Sequence, residues 1–354
     1  MNDIASRKQD HIDLCATGDV GFREKTTLFE EIELVHDAVP ELSLDDLDTS
    51  VEVLGKRLRA PLLIAAMTGG TERAREINRE LARIAEERGY AFGLGSQRAM
   101  LRGPVDATYM VRDVAPTTLL LGNLGAVQAR DVPSAAVAEL AAKVGADAMC
   151  IHLNPAMELV QPGGDRDFKG ILPTLERLVH ELDVPVIAKE TGCGIGRRAA
   201  RRIARAGVDH VDVSGSGGTS WVAVETARAT AGARTLGEAL REWGVPTAAS
   251  VGLARATKPR FETIFATGGV ASGLDAARAL ALGATAAGIA RPVLQAFQAG
   301  GRDAALAFLD EVEAELRAVM LLVGARRARH LRKAERVVGP RLARWLQRPS
   351  RRER

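Results

Sequence analysis

The stretch LLIAAMTGGTERAREINRELARIAEERGYAFGLGSQR, residues 62–98, holds two apolar runs separated by one amphipathic segment. Leu62–Ala66 and Tyr90–Gly93 are short and continuous, the pattern of strands buried on both faces. Between them Ile77, Leu81 and Ile84 fall at i, i+4 and i+7, on one face of a helix. Strand, helix and strand in one compact unit predict a parallel sheet with helices packed over it.

Outward from this unit the pattern repeats. Thr118–Gly122, Ala148–His152, Pro185–Lys189, His210–Ser214, Thr263–Thr267 and Ala286–Ala290 are further apolar runs, most of them separated by amphipathic segments. Eight such units in about 250 residues predict an α/β fold closed as a (β/α)8 TIM barrel. The expected layout is an N-terminal extension over 1–59, the barrel over 60–300, and C-terminal helices with a basic tail over 301–354. Thr247–Val251 also reads as a strand, which leaves a doubly wound sheet open. Against that sheet, Gly192, Gly194 and Gly196 read GxGxG rather than the GxGxxG of a dinucleotide fold. Leu306, Leu309, Val312, Leu316 and Met320 form an apolar stripe, suited to packing on the barrel or on a neighbouring subunit.

The 354 residues are 46% hydrophobic and 26% charged, a soluble globular balance. The opening MNDIASRKQDH lacks the apolar core of a secretory leader, and no apolar run approaches the roughly 18 residues of a membrane span. A cytoplasmic protein with no membrane contact is expected. Cys15, Cys150 and Cys193 are too scattered for a zinc site or a disulfide framework. Cys193, in a glycine-rich loop, reads as a small filler in preference to a reactive thiol. Residues 325–354 carry twelve Arg or Lys against Glu335 and Glu353, a local +10 in a chain of net +3. Such a tail could bind nucleic acid, but with Trp345 its only aromatic a solvated terminal helix is the favoured reading.

In a barrel of this kind function gathers at the C-terminal ends of the strands. There the sequence places MTGGT (67–71), GLGSQR (93–98), GNLGA (122–126), HLNPAMELVQPGGDRDF (152–168), KETGCG (189–194), SGSGGT (214–219) and TGG (267–269). The last two loops let backbone N–H groups approach an anion, and the helix beginning after AAGIA (286–290) adds its N-terminus. A phosphorylated cofactor or ligand is expected. Lys189 ends a buried strand and needs a partner there; a flavin ring, a Schiff base or an acid such as Asp212 would each serve. Arg7, Lys8 and His11 form a basic cluster near the N-terminus, read either as a solvated arm or, with Arg98, as phosphate ligands.

Taken in order, RKQDHI (7–12), MTGG (67–70), GSQR (95–98), HLN (152–154), Glu158, QPGGDRDF (161–168), KETGCGI (189–195), DVSGSGGTSW (212–221) and ATGGVASGLD (266–275) resemble the type 2 isopentenyl-diphosphate Δ-isomerase family. The resemblance runs from residue 7 to about 295. It implies a barrel that holds FMN, is reduced by NADPH, uses Mg2+, and assembles as a homo-oligomer, a tetramer or octamer. The substrate implied is a prenyl diphosphate, interconverted between the isopentenyl and dimethylallyl forms. Carried onto this chain, it assigns FMN contact to Ala66, Met67, Thr68, Ser96, Asn123, Lys189, Ser214, Thr219, Gly268, Gly269 and Ala290. It assigns the diphosphate to Arg7, Lys8, Arg98, His152 and Asn154, and the metal to Glu158. Lys189 would set the charge state of the flavin, and Trp221 would wall the prenyl tail unless it is core. The chain departs from the pattern at Gly164, where an acidic residue is common, and at Met157, where the family has Gln, a candidate proton relay. A thioether cannot shuttle a proton, so either the flavin makes both transfers or the activity has drifted. The rival on the same barrel is an FMN-dependent oxidoreductase acting on 2-hydroxy acids. It needs a late histidine base, and no His occurs between 211 and 329.

Overall fold

The computed structural model describes residues 2–66 and 68–347; Met67 and the arginine-rich residues 348–354 lie outside the described residues. Eight parallel strands close into a barrel in chain order. They are β1 (Leu62–Ile64), β2 (Ala91–Gly93), β3 (Leu119–Gly125), β4 (Ala148–Leu153), β5 (Val186–Glu190), β6 (His210–Asp212), β7 (Thr263–Ala266) and β8 (Ala286–Ile289). β8 pairs back onto β1 through Gly288 and Leu63. Each corresponds to one of the eight apolar runs.

The runs are continuous because both faces of each strand are covered. Leu63, Leu121, Ile187 and Phe265 fill the barrel interior, while Leu62, Leu120, Ala188 and Ile264 lie under the helices. A hairpin of Val51–Val53 and Lys56–Leu58 closes the N-terminal mouth. Its Lys56 Nζ donates to the carbonyls of Thr117 and Thr118 at the start of β3 and pairs with Asp147 at 2.8 Å. The opposite mouth is left for chemistry.

Helix α1 (Asn2–Thr17) belongs to the extension, and α2 (Glu72–Arg88) is the helix read from the opening stretch. Thr71 caps α2 by accepting from Ala74 N–H, Gly89 at φ 67° ends it, and Ile77, Leu81 and Ile84 are buried. Four further helices bear on the site: α3 (Pro155–Val160), α4 (Trp221–Arg228), α5 (Thr247–Arg255) and α6 (Gly273–Leu282). Thr247–Val251 is thus helical, not a strand. Ala248, Ala249, Val251 and Ala254 are all buried, and a segment covered on most sides shows no helical period to read.

Helix α7 (Arg291–Leu322) is broken at Gly300 and Gly301, whose backbone is non-helical. Its first part is the eighth barrel helix; the second lays Leu309, Val312, Leu316 and Met320 against α6 and the barrel of its own chain. Gly273 permits this approach, since a Cβ there would stand 2.2 Å from the Val312 carbonyl oxygen. As far as Gln347 the basic segment is docked, contrary to the expected solvated helix. Arg336–Val338 pairs with Ile32–Leu34, Leu331 and Leu342 are fully buried, and Arg341 faces Glu30 and Glu31. The charge count could not show that apolar residues interleave the arginines at buried positions.

Candidate active site

A cavity of about 450 Å³ opens at the C-terminal ends of the strands. Its lining includes Ala66, Thr68, Ser96, Asn123, Ser214, Thr219, Gly268, Gly269 and Ala290. Arg7, Lys8, Arg98, His152, Asn154, Met157, Glu158, Lys189 and Trp221 line the same cavity. Residues up to 283 positions apart therefore share one space, Met67 alone lying outside the described residues.

Within this lining the two glycine loops touch backbone to backbone. A Cβ on Gly218 would stand 2.4 Å from Gly269 Cα, and one on Gly268 would stand 2.2 Å from the Gly215 carbonyl oxygen. Gly268 and Gly269 also take positive φ, 97° and 79°, which glycine adopts without strain. Beside them Ser214 holds φ 34°, unusual for a residue with a Cβ. Thr68 Oγ1 is buried with no hydrogen-bond partner among the described residues. Lys189 Nζ lies 2.7 Å from Asp212, the partner offered by the neighbouring strand in register. Asp212 also accepts from Thr267 Oγ1 at 2.5 Å, so the lysine is held as an ion pair and keeps its place on the wall.

The basic cluster is not a solvated arm. Helix α1 lies across the mouth, its C-terminal end held by Arg291, which donates to the carbonyls of Cys15 (2.9 Å) and Gly18 (2.7 Å). Lys8 is buried and its pKa is lowered to about 7, first by burial and then by Arg7. The Nε atoms of Arg7 and Arg98 are buried without partners among the described residues. Burial, with Arg102 and Arg7 close by, lowers the pKa of Arg98. His152 is pushed down to about 3 by burial and then by Lys189, Arg98 and Lys8. Its Nδ1 lies 2.8 Å from Asn123 Oδ1, while Asn123 Nδ2 donates to the Leu94 carbonyl. The amide oxygen must then accept, so Nδ1 carries the proton and Nε2 is left with a lone pair.

Behind His152 the chain turns into α3. Glu158 is buried and accepts from Asn154 Nδ2 (3.0 Å), Gln161 Nε2 (3.2 Å) and the Asp165 N–H (2.8 Å). Asn154 Nδ2 also points at Met157 Sδ, 3.8 Å away. Among the described residues no cluster of three His, Cys, Asp or Glu could cage a metal. One carboxylate fits the way Mg2+ binds, through one or two carboxylates with ligand phosphate and water completing its shell.

The sequence matches the FMN-dependent dehydrogenase family over residues 2–153 and 160–337. An isopentenyl-diphosphate delta-isomerase of Methanothermobacter thermautotrophicus is 43% identical over 346 residues, 97% of this chain and 96% of that protein. One of Synechococcus sp. is 47% identical over 299 residues, covering 83% and 85%. The chain belongs to the isopentenyl-diphosphate delta-isomerase family. Among solved structures, a mandelate oxidase variant with (S)-mandelic acid superposes at a TM-score of 0.66 and 19% identity, covering 96% of this chain and 98% of its own. Another, carrying a monooxide FMN adduct, gives 0.64 at 18% identity over 95% and 100%. These share the barrel.

For a member of the isopentenyl-diphosphate delta-isomerase family, the notable stretch is 154–159, which the general FMN-dependent dehydrogenase match leaves out. It contains Asn154, Met157 and Glu158. Several groups at or near the cavity escaped the sequence reading. Glu225 on α4 is fully buried, lies 2.7 Å from His11 Nε2 and 2.8 Å from Arg228, and so ties α1 to the barrel. His11 in turn meets Trp221 edge to face at 5.2 Å. Glu190, pushed up to about 7 by burial, accepts from the N–H groups of Thr191, Cys193 and Gly194 and shapes the loop after β5. Its acidic side chain in an otherwise apolar run was the available signal. Burial raises the pKa of the Cys193 thiol, in keeping with the unreactive reading.

Proposed function

We propose that this protein interconverts isopentenyl and dimethylallyl diphosphate in the cytoplasm, with reduced FMN and Mg2+ as cofactors and NADPH as reductant, in a homo-oligomer. The observation that carries this reading is one cavity lined both by close-packed glycine backbone and by cationic side chains. The glycine backbones and the Thr68 hydroxyl suit a flavin phosphate and ring; the Nε atoms of Arg7 and Arg98, buried without partners among the described residues, suit a second anion.

In this reading Ala66, Met67, Thr68, Ser96, Asn123, Ser214, Thr219, Gly268, Gly269 and Ala290 hold FMN. Reduced FMN held there would supply electron-rich chemistry able to stabilise positive charge and exchange a proton. Lys189, fixed by Asp212, would bias the charge state of that cofactor. Arg7, Lys8, Arg98, His152 and Asn154 would hold the diphosphate, and Glu158 would hold Mg2+. Trp221, braced by His11, walls the prenyl tail. Met157 lies on that wall, where a flexible thioether fills apolar space.

The oxidoreductase alternative lacks its base: His210 and His330 are the nearest histidines to the empty interval, and neither lines the cavity. Calorimetric titration of the FMN-loaded protein with isopentenyl diphosphate tests the site. Binding should strengthen with Mg2+, and Glu158→Gln should abolish that gain. Metal-independent binding in the wild-type protein would contradict the role given to Glu158.

A further inference from the structure

The ammonium that α1 carries into the cavity is gripped by a residue from a distant loop. Lys8 Nζ donates to Tyr109 Oη at 2.6 Å and to the Ser96 carbonyl at 2.9 Å. Tyr109 Oη donates to the same carbonyl at 2.7 Å. In its charged form, which a bound anion favours, the Lys8 nitrogen has three N–H donors; two are fixed here and the third is left for that ligand. Lys8 lines the cavity, whereas Tyr109 stands behind it, fully buried, with its ring centroid 5.1 Å from the lysine nitrogen.

The same ring also supports the loop assigned to the flavin. A Cβ on Gly69 would stand 2.1 Å from it, so only glycine lets loop and ring meet. Next to it, Thr108 Oγ1 accepts from Gly70 N–H at 2.9 Å, and Asn78 Nδ2 bridges the carbonyls of Thr68 and Thr108. Tyr109 is thus wedged between the cationic arm and the loop over 66–70.

We propose that Tyr109 is a positioning residue for diphosphate recognition: its hydroxyl holds the Lys8 ammonium at the cavity wall, and its ring sets that cation in register with the loop assigned to the flavin. This rests on the reading of the cavity as a site for FMN and a prenyl diphosphate. The phenol suits the task because burial raises its pKa, so it stays neutral, giving its proton to Ser96 and a lone pair to Lys8.

Tyr109→Phe keeps the ring against Gly69 and removes only the hydroxyl. In the FMN-loaded full chain, KM for isopentenyl diphosphate should rise about tenfold, as expected for a lost hydrogen bond to a charged group. Turnover should stay within about twofold of wild type and FMN affinity should be unchanged, because Phe keeps the ring contact. Affinity for inorganic pyrophosphate should fall in parallel with that for the substrate. The groups facing Lys8 are Arg7 on its own helix, Tyr109 and the Ser96 carbonyl from the loop after β2, and His152 and Arg98 on the cavity wall. Without the hydroxyl acceptor, pyrophosphate affinity should begin to decline at lower pH than in wild type. In a Lys8→Met background, Tyr109→Phe should add nothing. An unchanged KM and pH profile, or an equal effect with and without Lys8, overturns the inference and leaves Tyr109 a packing residue. A wild-type protein that takes up FMN but binds neither diphosphate overturns the reading of the cavity, and this inference with it.

Discussion

His152 and Lys8 hold fewer protons in the ligand-free cavity than a bound diphosphate favours. His152, with its pKa pushed down to about 3, is neutral at pH 7.5, and Lys8, lowered to about 7, is largely so. A nearby polyanion favours the charged form of both. Diphosphate binding at pH 7.5 should therefore take up protons, read as a dependence of the calorimetric enthalpy on buffer ionisation; no dependence would contradict the placement of these groups. Glu190 gives a stability prediction. Its folded pKa, about 7, lies above the ordinary glutamate value of 4.5, so between these values the folded state binds more protons than the unfolded one. Stability then falls as pH rises from about 4.5 through 7, and Glu190→Gln should flatten that fall in denaturant titrations at pH 5 and 8. Asp212 was only one of three partners the sequence left open for Lys189; the register of the neighbouring strands brings the two together. Tyr109 and Glu225 were not, since their partners come from the extension, whose path over the barrel no local pattern encodes.

At the scale of elements, the strands were legible because each apolar run is covered on both faces, and their order follows from the connections between them. The loops were legible only as glycine-rich, yet the structure shows why the glycines are needed: Gly218 and Gly269 are in backbone contact. Gly218→Ala should push the two loops apart and weaken FMN binding by at least about tenfold, measured by flavin fluorescence, while the barrel stays folded. Gly273→Ala makes the contrasting case. There the added methyl meets the backbone of Val312 and Leu316 on α7, residues that do not line the cavity. It should destabilise the protein by about 1–3 kcal/mol with cofactor affinity unchanged. The docked course of the basic segment was hidden because charge dominates its composition, and three or four buried apolar residues decide where it goes.

For the whole molecule, two things were brought together that no single segment contains: an arm from the N-terminus and a cradle built from strands six to eight. Family membership and barrel agree with the order of motifs along the chain, and Met157, the discordant residue that bears on proton transfer, sits in the cavity beside Asn154 and Glu158. If the flavin and the chain's cations suffice for the chemistry, Met157→Gln should change turnover only slightly. A gain of about a hundredfold or more, the scale of general acid–base catalysis, would mean that the thioether cripples the reaction. Isomerisation involves no net redox change. Its most direct measurement is an anaerobic incubation of the protein with FMN, NADPH, Mg2+ and isopentenyl diphosphate, following product and NADPH together. Dimethylallyl diphosphate should accumulate over many turnovers while NADPH falls only by the amount needed to reduce the flavin. Oxidation of NADPH in step with substrate loss, or no dimethylallyl product from flavin-loaded protein, would contradict the account.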